Sequence, residues 1–466
     1  MAEQKIPTTL GTEKVGKLLM QYAVPAIVAM TASSLYNMVD SIFIGLGVGP
    51  LAISGLALTF PLMNLAAAFG SLVGVGASTL VSMKLGQKDY DTAQRVLGNV
   101  VVLNVVIGIL FTILTLAFLD PILYFFGASE DTISYARDYI EIILLGNVVT
   151  HLYMGLNAVI RSAGHPKQAM MATIATVLIN TVLDYLFIFV FNWGIQGAAI
   201  ATVLAQIISL VWLIVLFSNK KELIHFRKGI FRLKKRIVID SLSIGMAPFL
   251  MNLAATFVVL LINQGLKRHG GDLAIGAYGI VNRLVFLFLM IVMGLNQGMQ
   301  PIAGYNFGAR QYVRVTEVLK LTIYVATIVT SIGFVMGMFM PRLAVSIFTS
   351  DENLISLASE GLRIVVVFFP IVGFQMVTSN FFQSIGMASK AIFLSLTRQV
   401  LFLIPCLLIL PRFYGSLGVW ASMPIADLVA CIVAAIMLWR QFKILKIKRL
   451  NLCKKPGISP RSPFVG

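Results

Sequence analysis

Gly49-Pro50-Leu51-Ala52-Ile53 returns as Gly271-Asp272-Leu273-Ala274-Ile275, about 222 residues further along the chain. The register holds on either side. Leu85-Gly86-Gln87 returns as Phe307-Gly308-Ala309, and Val96-Leu97 as Val318-Leu319. Met154 through Arg161-Ser162-Ala163-Gly164 returns as Met376 through Gln383-Ser384-Ile385-Gly386, and Trp193-Gly194-Ile195-Gln196-Gly197 as Tyr414-Gly415-Ser416-Leu417-Gly418. The chain is therefore two copies of one unit. A duplicated unit in an apolar chain points to transport, because a site between two similar halves can be exposed to either side when one half rocks against the other.

Hydrophobic residues make up 58% of the 466 positions and charged residues 12%, against about 45 to 50% and about 25% in soluble domains. A water-soluble fold is excluded. Apolar stretches at approximately 17–46, 52–84, 95–119, 134–160, 166–190, 195–219, 238–266, 274–304, 313–340, 356–384, 389–410 and 415–440 are each at or above the ~20 residues that carry a helix across ~30 Å of hydrocarbon. Six fall in each repeat, and an even number makes both halves enter the membrane from the same side. The expected fold is an all-α polytopic membrane protein, with twelve transmembrane helices in two parallel six-helix lobes related by a pseudo-two-fold axis along the membrane normal. The expected divisions are an N-lobe over 1–219, a basic linker over 220–237, a C-lobe over 238–440 and a basic tail over 441–466.

A formal charge of +17 would suit nucleic acid, but the placement of the basic residues argues for topology. With the N-terminus inside, only Lys267, Arg268, Arg342 and Arg412 fall outside, while Lys220, Lys221, Arg227, Lys228, Arg232, Lys234, Lys235 and Arg236 crowd the connection between the halves. That is the positive-inside pattern, with the linker resting on anionic lipid headgroups and both termini cytoplasmic. Met1 to Lys17 is too polar, and the run after it too long, for a cleavable signal peptide.

Enzymatic chemistry and nucleotide binding lack their carriers. Gly11-Thr12-Glu13-Lys14-Val15-Gly16-Lys17 is followed by Leu18, where a phosphate-binding loop needs Ser or Thr. His151, His165, His225 and His269 are scattered and form no nucleophile or metal motif. Cys406, Cys431 and Cys453 have no C-x-x-C spacing and read as packing residues, so no cofactor is expected. Transport must then draw on an ion gradient.

An acid inside hydrocarbon costs roughly 2.5 to 3.5 kcal/mol, so each one is a functional candidate. Asp40 and Asp184 lie at similar depth near the outer ends of spans 1 and 5; Asn180 precedes Asp184 by one helical turn, and Thr202 reaches the same level in span 6. Two carboxylates, an amide and a hydroxyl can form an oxygen cage for a hard cation or share a proton. Aligned on the repeat, Asp40 falls on Asn263, Asp184 on Cys406 and Asn180 on Phe402, so the second half lacks the acids. Arg283, Arg398 and Asp427 are expected as structural buried charges, with Arg398 and Asp427 paired. Pro25, Pro61, Pro248, Pro370, Pro405 and Pro424 interrupt spans. Pro25, fifteen residues before Asp40, is the candidate hinge.

The stretches Asn37-Met38-Val39-Asp40, Phe43-Ile44-Gly45, Asn180 through Ile188, Gly298-Met299-Gln300-Pro301-Ile302, Tyr305 through Ala309 and Pro424-Ile425-Ala426-Asp427 resemble the multidrug and toxic compound extrusion (MATE) family over about 15–445. The resemblance implies two six-helix lobes around a central cleft, exporting organic, often cationic, compounds in exchange for Na+ or H+. It also implies that Asp40, Asn180, Asp184 and Thr202 are the N-lobe coupling site. A branch with C-lobe coupling acids fits less well, because span 7 offers only Asn263 and Gln264, and span 10 only Gln375. Tyr36, Asn37, Phe60, Met63, Asn157, Asn263, Met290, Gln297 and Gln375 are candidates for the substrate cleft, since aromatic and thioether groups adapt to varied shapes and attract cations. The alternative cargo is a lipid-linked intermediate, moved by a flippase whose cleft would be lined with Arg and Lys; Arg283 and Arg398 are the residues on hand. The protein is expected to work as a monomer in a bacterial cytoplasmic membrane, with small organic substrates and lipid as its partners.

Overall fold

The computed structural model describes residues 9–453, without the side chains of Asn37, Asp272, Leu452 and Cys453. The expectations for Asn37 and Cys453, and for the tail beyond, therefore lie outside what is described.

The apolar stretches of the sequence become helices, and their polar breaks become turns. Spans 1 to 3 are Val15–Gly47, Pro50–Gly86 and Tyr90–Ala117, and spans 5 and 6 are Pro166–Val190 and Gly194–Phe217. Spans 7 to 9 are Lys235–Gly271, Leu273–Gly308 and Tyr312–Phe339. Span 4 is a bent pair, Ile133–Leu145 and Asn147–Ser162, turning by 54°. Span 10 is its counterpart, Glu352–Val366 and Phe369–Ser384, turning by 53°. The stretch Ala388–Asn451 supplies spans 11 and 12, divided at Gly415, whose φ of 56° leaves the helical region. The result is the expected all-α, twelve-helix, two-lobe layout.

The turns explain why the repeat survives in the sequence where it does. Gly49 and its counterpart Gly271 have φ of 121° and 68°, Gly194 and Gly415 have 59° and 56°, and Gly164 and Gly386 have 107° and 73°. A side chain is strained at such angles, so glycine recurs while the helix faces drift. Lys88 and Arg310, again counterparts, share φ of 60° and 61°.

Hydrophobic packing differs between the two ends of the bundle. At the end carrying Gly49 and Gly271, Ile44, Leu56, Leu123 and Ile140 belong to a core drawn from the first half alone, while Leu266, Val281, Leu362 and Trp420 belong to one drawn from the second half alone. At the opposite end, Leu10, Leu18, Leu19 and Tyr22 share a core with Val292, Met299, Leu319 and Phe381. The lobes therefore meet at the end bearing the N-terminus and the linker. Gly76 and Gly245 bring spans 2 and 7 so close that a Cβ on either would overlap a backbone carbonyl, of Ser241 or Leu72. Across the same seam Gln300 Nε2 donates to Ser78 Oγ (3.0 Å) and Thr79 Oγ1 (2.7 Å), and the Phe69 and Phe249 ring centroids lie 4.9 Å apart.

The connection between the halves is strapped to the start of span 3. Gln94 Nε2 donates to the His225 carbonyl (2.8 Å), Asn99 Nδ2 to the Arg232 carbonyl (3.2 Å), and the Lys234 N–H to Asn99 Oδ1 (3.0 Å). Asp91 accepts from Arg95 (2.7 Å) and pairs with Arg227.

Two expectations need revision. Arg398 and Asp427 do pair, with Asp427 buried, but Arg283 is exposed rather than buried; depth within a span says nothing of which face a residue occupies. Pro25, Pro61 and Pro248 do not break the spans they occupy: span 1 stays helical through Pro25, span 2 through Pro61 and span 7 through Pro248. The sharp bends fall instead at Gly146, between the two helices of span 4, and just ahead of Pro370, which opens the second helix of span 10.

Candidate functional site

Span 1 carries Tyr36 and Asp40 one helical turn apart, so both face the same neighbours, spans 5 and 6. Span 5 carries Asn180 and Asp184 at the same spacing, and both are buried, as is Asp40. The Asn180 amide, oriented to satisfy its surroundings, donates to Asp184 Oδ2 (2.9 Å) and accepts from the Thr202 N–H (3.1 Å). Tyr36 and Thr202 hydroxyls are hydrogen-bonded at 2.9 Å. Span 5 then continues in a short π-helical stretch, Leu186–Val190, immediately beyond Asp184. Such turns leave the regular ladder and often occur beside functional groups.

Four residues singled out in the sequence are thus brought into one network. Asp40 lies within electrostatic reach of Asp184 and Tyr36. Asp40 Oδ1 is buried without a hydrogen-bond partner among the described residues. An orphaned carboxylate oxygen in an apolar site is costly unless it holds a proton or faces a cation, and the donor set of carboxylate, amide and hydroxyl oxygens suits either. Buried Tyr139 of span 4 joins this neighbourhood, within reach of Asp40, Asp184 and Tyr36. Nothing in its sequence context separates it from an ordinary packing tyrosine.

Against this network lies a cavity of about 480 Å³. Tyr36, Asn180 and Thr202 form one wall, so the same side chains that enclose the acids also face the cavity. Pro25, Met30 and Ser33 of span 1 contribute, as do Asn157 and Arg161 of span 4 and Gln297 of span 8. Of the cleft candidates, Tyr36, Asn157 and Gln297 line the cavity. Phe60 is exposed elsewhere, Met63 packs into the outer first-half core, and Gln375 is buried in the second half. Asn263 and Met290 also fall outside the lining.

Sequence reasoning missed Arg161. The apolar stretch ends at 160, and a basic residue just beyond reads as a topology signal; in the structure the helix runs on to Ser162 and the guanidinium faces the cavity. The absence of an acid nearby in the chain was the one available hint.

The MatE family model matches residues 25–186 and 245–408, once in each repeat. The chain belongs to the MatE family. Multidrug export protein MepA of Staphylococcus haemolyticus is 28% identical over 436 residues, which cover 94% of this chain and 96% of that protein. The MATE multidrug transporter DinF-BH, solved in complex with a ligand, is 35% identical with a TM-score of 0.86, covering 92% of this chain and 96% of that one. An outward-facing MATE family transporter of the MOP superfamily has the same fold, with a TM-score of 0.90 over 95% of this chain and 99% of that one at 24% identity.

Proposed function

We propose that this MatE protein exports small organic compounds across a bacterial cytoplasmic membrane, exchanging them for Na+ or H+ carried by Asp40 and Asp184. The observation that supports this reading is the shared wall: Tyr36, Asn180 and Thr202 line the cavity, are hydrogen-bonded to one another, and through Asn180 reach Asp184. The relatives named as multidrug exporters, and the solved relative named as a multidrug transporter, point to the same cargo class. A volume of about 480 Å³ suits a drug-sized molecule better than a lipid-linked one, so the flippase reading gains no support. In this reading the protein works as a monomer, with both termini and the linker cytoplasmic. A cysteine introduced as Lys228→Cys should react with a membrane-impermeant reagent only in opened cells.

The deciding experiment is dye transport by purified protein in vesicles under a sodium gradient or a proton gradient, imposed separately. Export under one gradient and not the other names the coupling ion. Equal transport with neither gradient present would sink the exchange mechanism.

A further inference from the structure

The cavity that the proposed export function rests on has an unexpected charge. Among the described residues lining it, Arg161 is the one that carries a full charge at neutral pH. Asp40 and Asp184 do not reach the lining; Tyr36, Asn180 and Thr202 stand between. A pocket built for simple organic cations would present its carboxylates to the cargo, and this one withholds them.

Arg161 is also under-used. Its side-chain hydrogen bond among the described residues goes to Gln297, across the seam on span 8, and no carboxylate among them pairs with it. Gln297 is itself weakly held, with its amide directed to Met30 Sδ at 3.1 Å. A guanidinium has five donors in a planar fork matched to two oxygens, so most of its capacity faces the cavity. Asn157 sits one helical turn earlier on span 4 and lines the same wall. Pro25, Ala26, Ala29, Met154 and Met170 give the cavity apolar patches, and its other polar lining groups, among them Ser33, Tyr153, Thr173 and Gln206, are uncharged. A guanidinium that has no carboxylate partner among the described residues is matched best by a planar oxyanion.

We infer that the favoured cargo bears a carboxylate, held by Arg161 with Asn157 beside it, so that zwitterions and organic acids are taken in preference to purely cationic compounds. This deepens the export reading and rests on it. The apolar wall and its two methionines receive the rest of the molecule. A cargo carboxylate also competes with the Gln297 carbonyl for the guanidinium, so binding loosens one tie between the lobes.

The test uses a rhodamine dye with a free carboxyl group and the same dye as its ethyl ester, measured by fluorescence polarisation on the purified full-length protein. The carboxylate form should bind at least about tenfold more tightly than the ester, the usual scale of a charge-assisted bidentate contact. Arg161→Gln should bring the two dyes within about threefold of each other, and Arg161→Lys, a point charge without the fork, should fall between. Gln297→Glu supplies an internal carboxylate for Arg161 and should weaken the carboxylate dye more than the ester. Equal binding of the two dyes by wild type, or preference for the ester, overturns the inference, and continued export of the ester leaves the export reading standing. Failure to bind or export either dye sinks that reading itself. Should Arg161→Gln not purify as a single species, the wild-type ratio and Gln297→Glu still decide.

Discussion

Asp40 and Asp184 stand out in the sequence because a carboxylate in an apolar run is rare, and the same rarity fails for Arg161 and Arg283. The rule registers depth in the membrane and is silent on helix face, so Arg283 was expected buried and is exposed, while Arg161 looked like a boundary marker and lines the cavity. Asp40→Asn and Asp184→Asn should each abolish gradient-driven export while leaving yield and elution profile unchanged, since the amide keeps the shape and removes only the charge that takes the ion or proton. Wild-type resistance in cells making normal amounts of either variant would exclude these acids as the coupling groups. Asp427 behaves differently because its partner is fixed. Asp427→Asn strands the Arg398 guanidinium, and breaking such a pair costs on the order of 3 kcal/mol. Thermal unfolding in detergent should show a clear loss for the single variant and substantial recovery when Arg398→Gln is added.

At the level of elements, most helices were legible to within a few residues, because twelve apolar stretches with glycine turns leave little choice; the last, expected to end at 440, runs on to Cys453. The bends were legible only in part: the 53° bend of span 10 falls beside Pro370, yet span 1 passes Pro25 without breaking and the 54° bend of span 4 sits at Gly146. Gly146 faces Val203 with no room for a Cβ, and nothing in the sequence names that neighbour. The close approach of spans 2 and 7 at Gly76 and Gly245 was equally hidden, since a glycine in an apolar run has no mark of its partner. Gly245→Val would press its side chain into the Leu72 carbonyl. The linker-end seam should then open, export should fall by about tenfold or more, and a cysteine placed by Ser33→Cys in the cavity should become reactive from the linker side. Unchanged labelling of that cysteine would mean the seam tolerates the valine and does not govern access.

Across the whole molecule, span 1 belongs to two cores. Leu18, Leu19 and Tyr22 pack with second-half residues, whereas Ile44 packs with the first half, and Pro25 lies between them at the cavity edge. A change in either core must therefore pass through Pro25, where the ring removes one helical hydrogen bond and bending is easiest. In the proposed exchange, neutralising Asp40 and Asp184, by Na+ or by protons, would relieve the repulsion between two buried acids and let the wall of Tyr36, Asn180 and Thr202 close on the cavity, whereas bound cargo would hold that wall apart. The two ligands should thus oppose each other, and reciprocity requires that each weaken the other by the same factor, with about 1 to 3 kcal/mol typical of such coupling. Calorimetric titration of dye at low and high sodium, and at pH 6 and pH 8, should show affinity falling with whichever ion couples. Pro25→Ala should shrink that dependence more than it shrinks either affinity alone, because it stiffens the connection and leaves both sites intact. Equal dye affinity under all four conditions in the wild type would show that the acids and the cavity, though they share a wall, do not communicate.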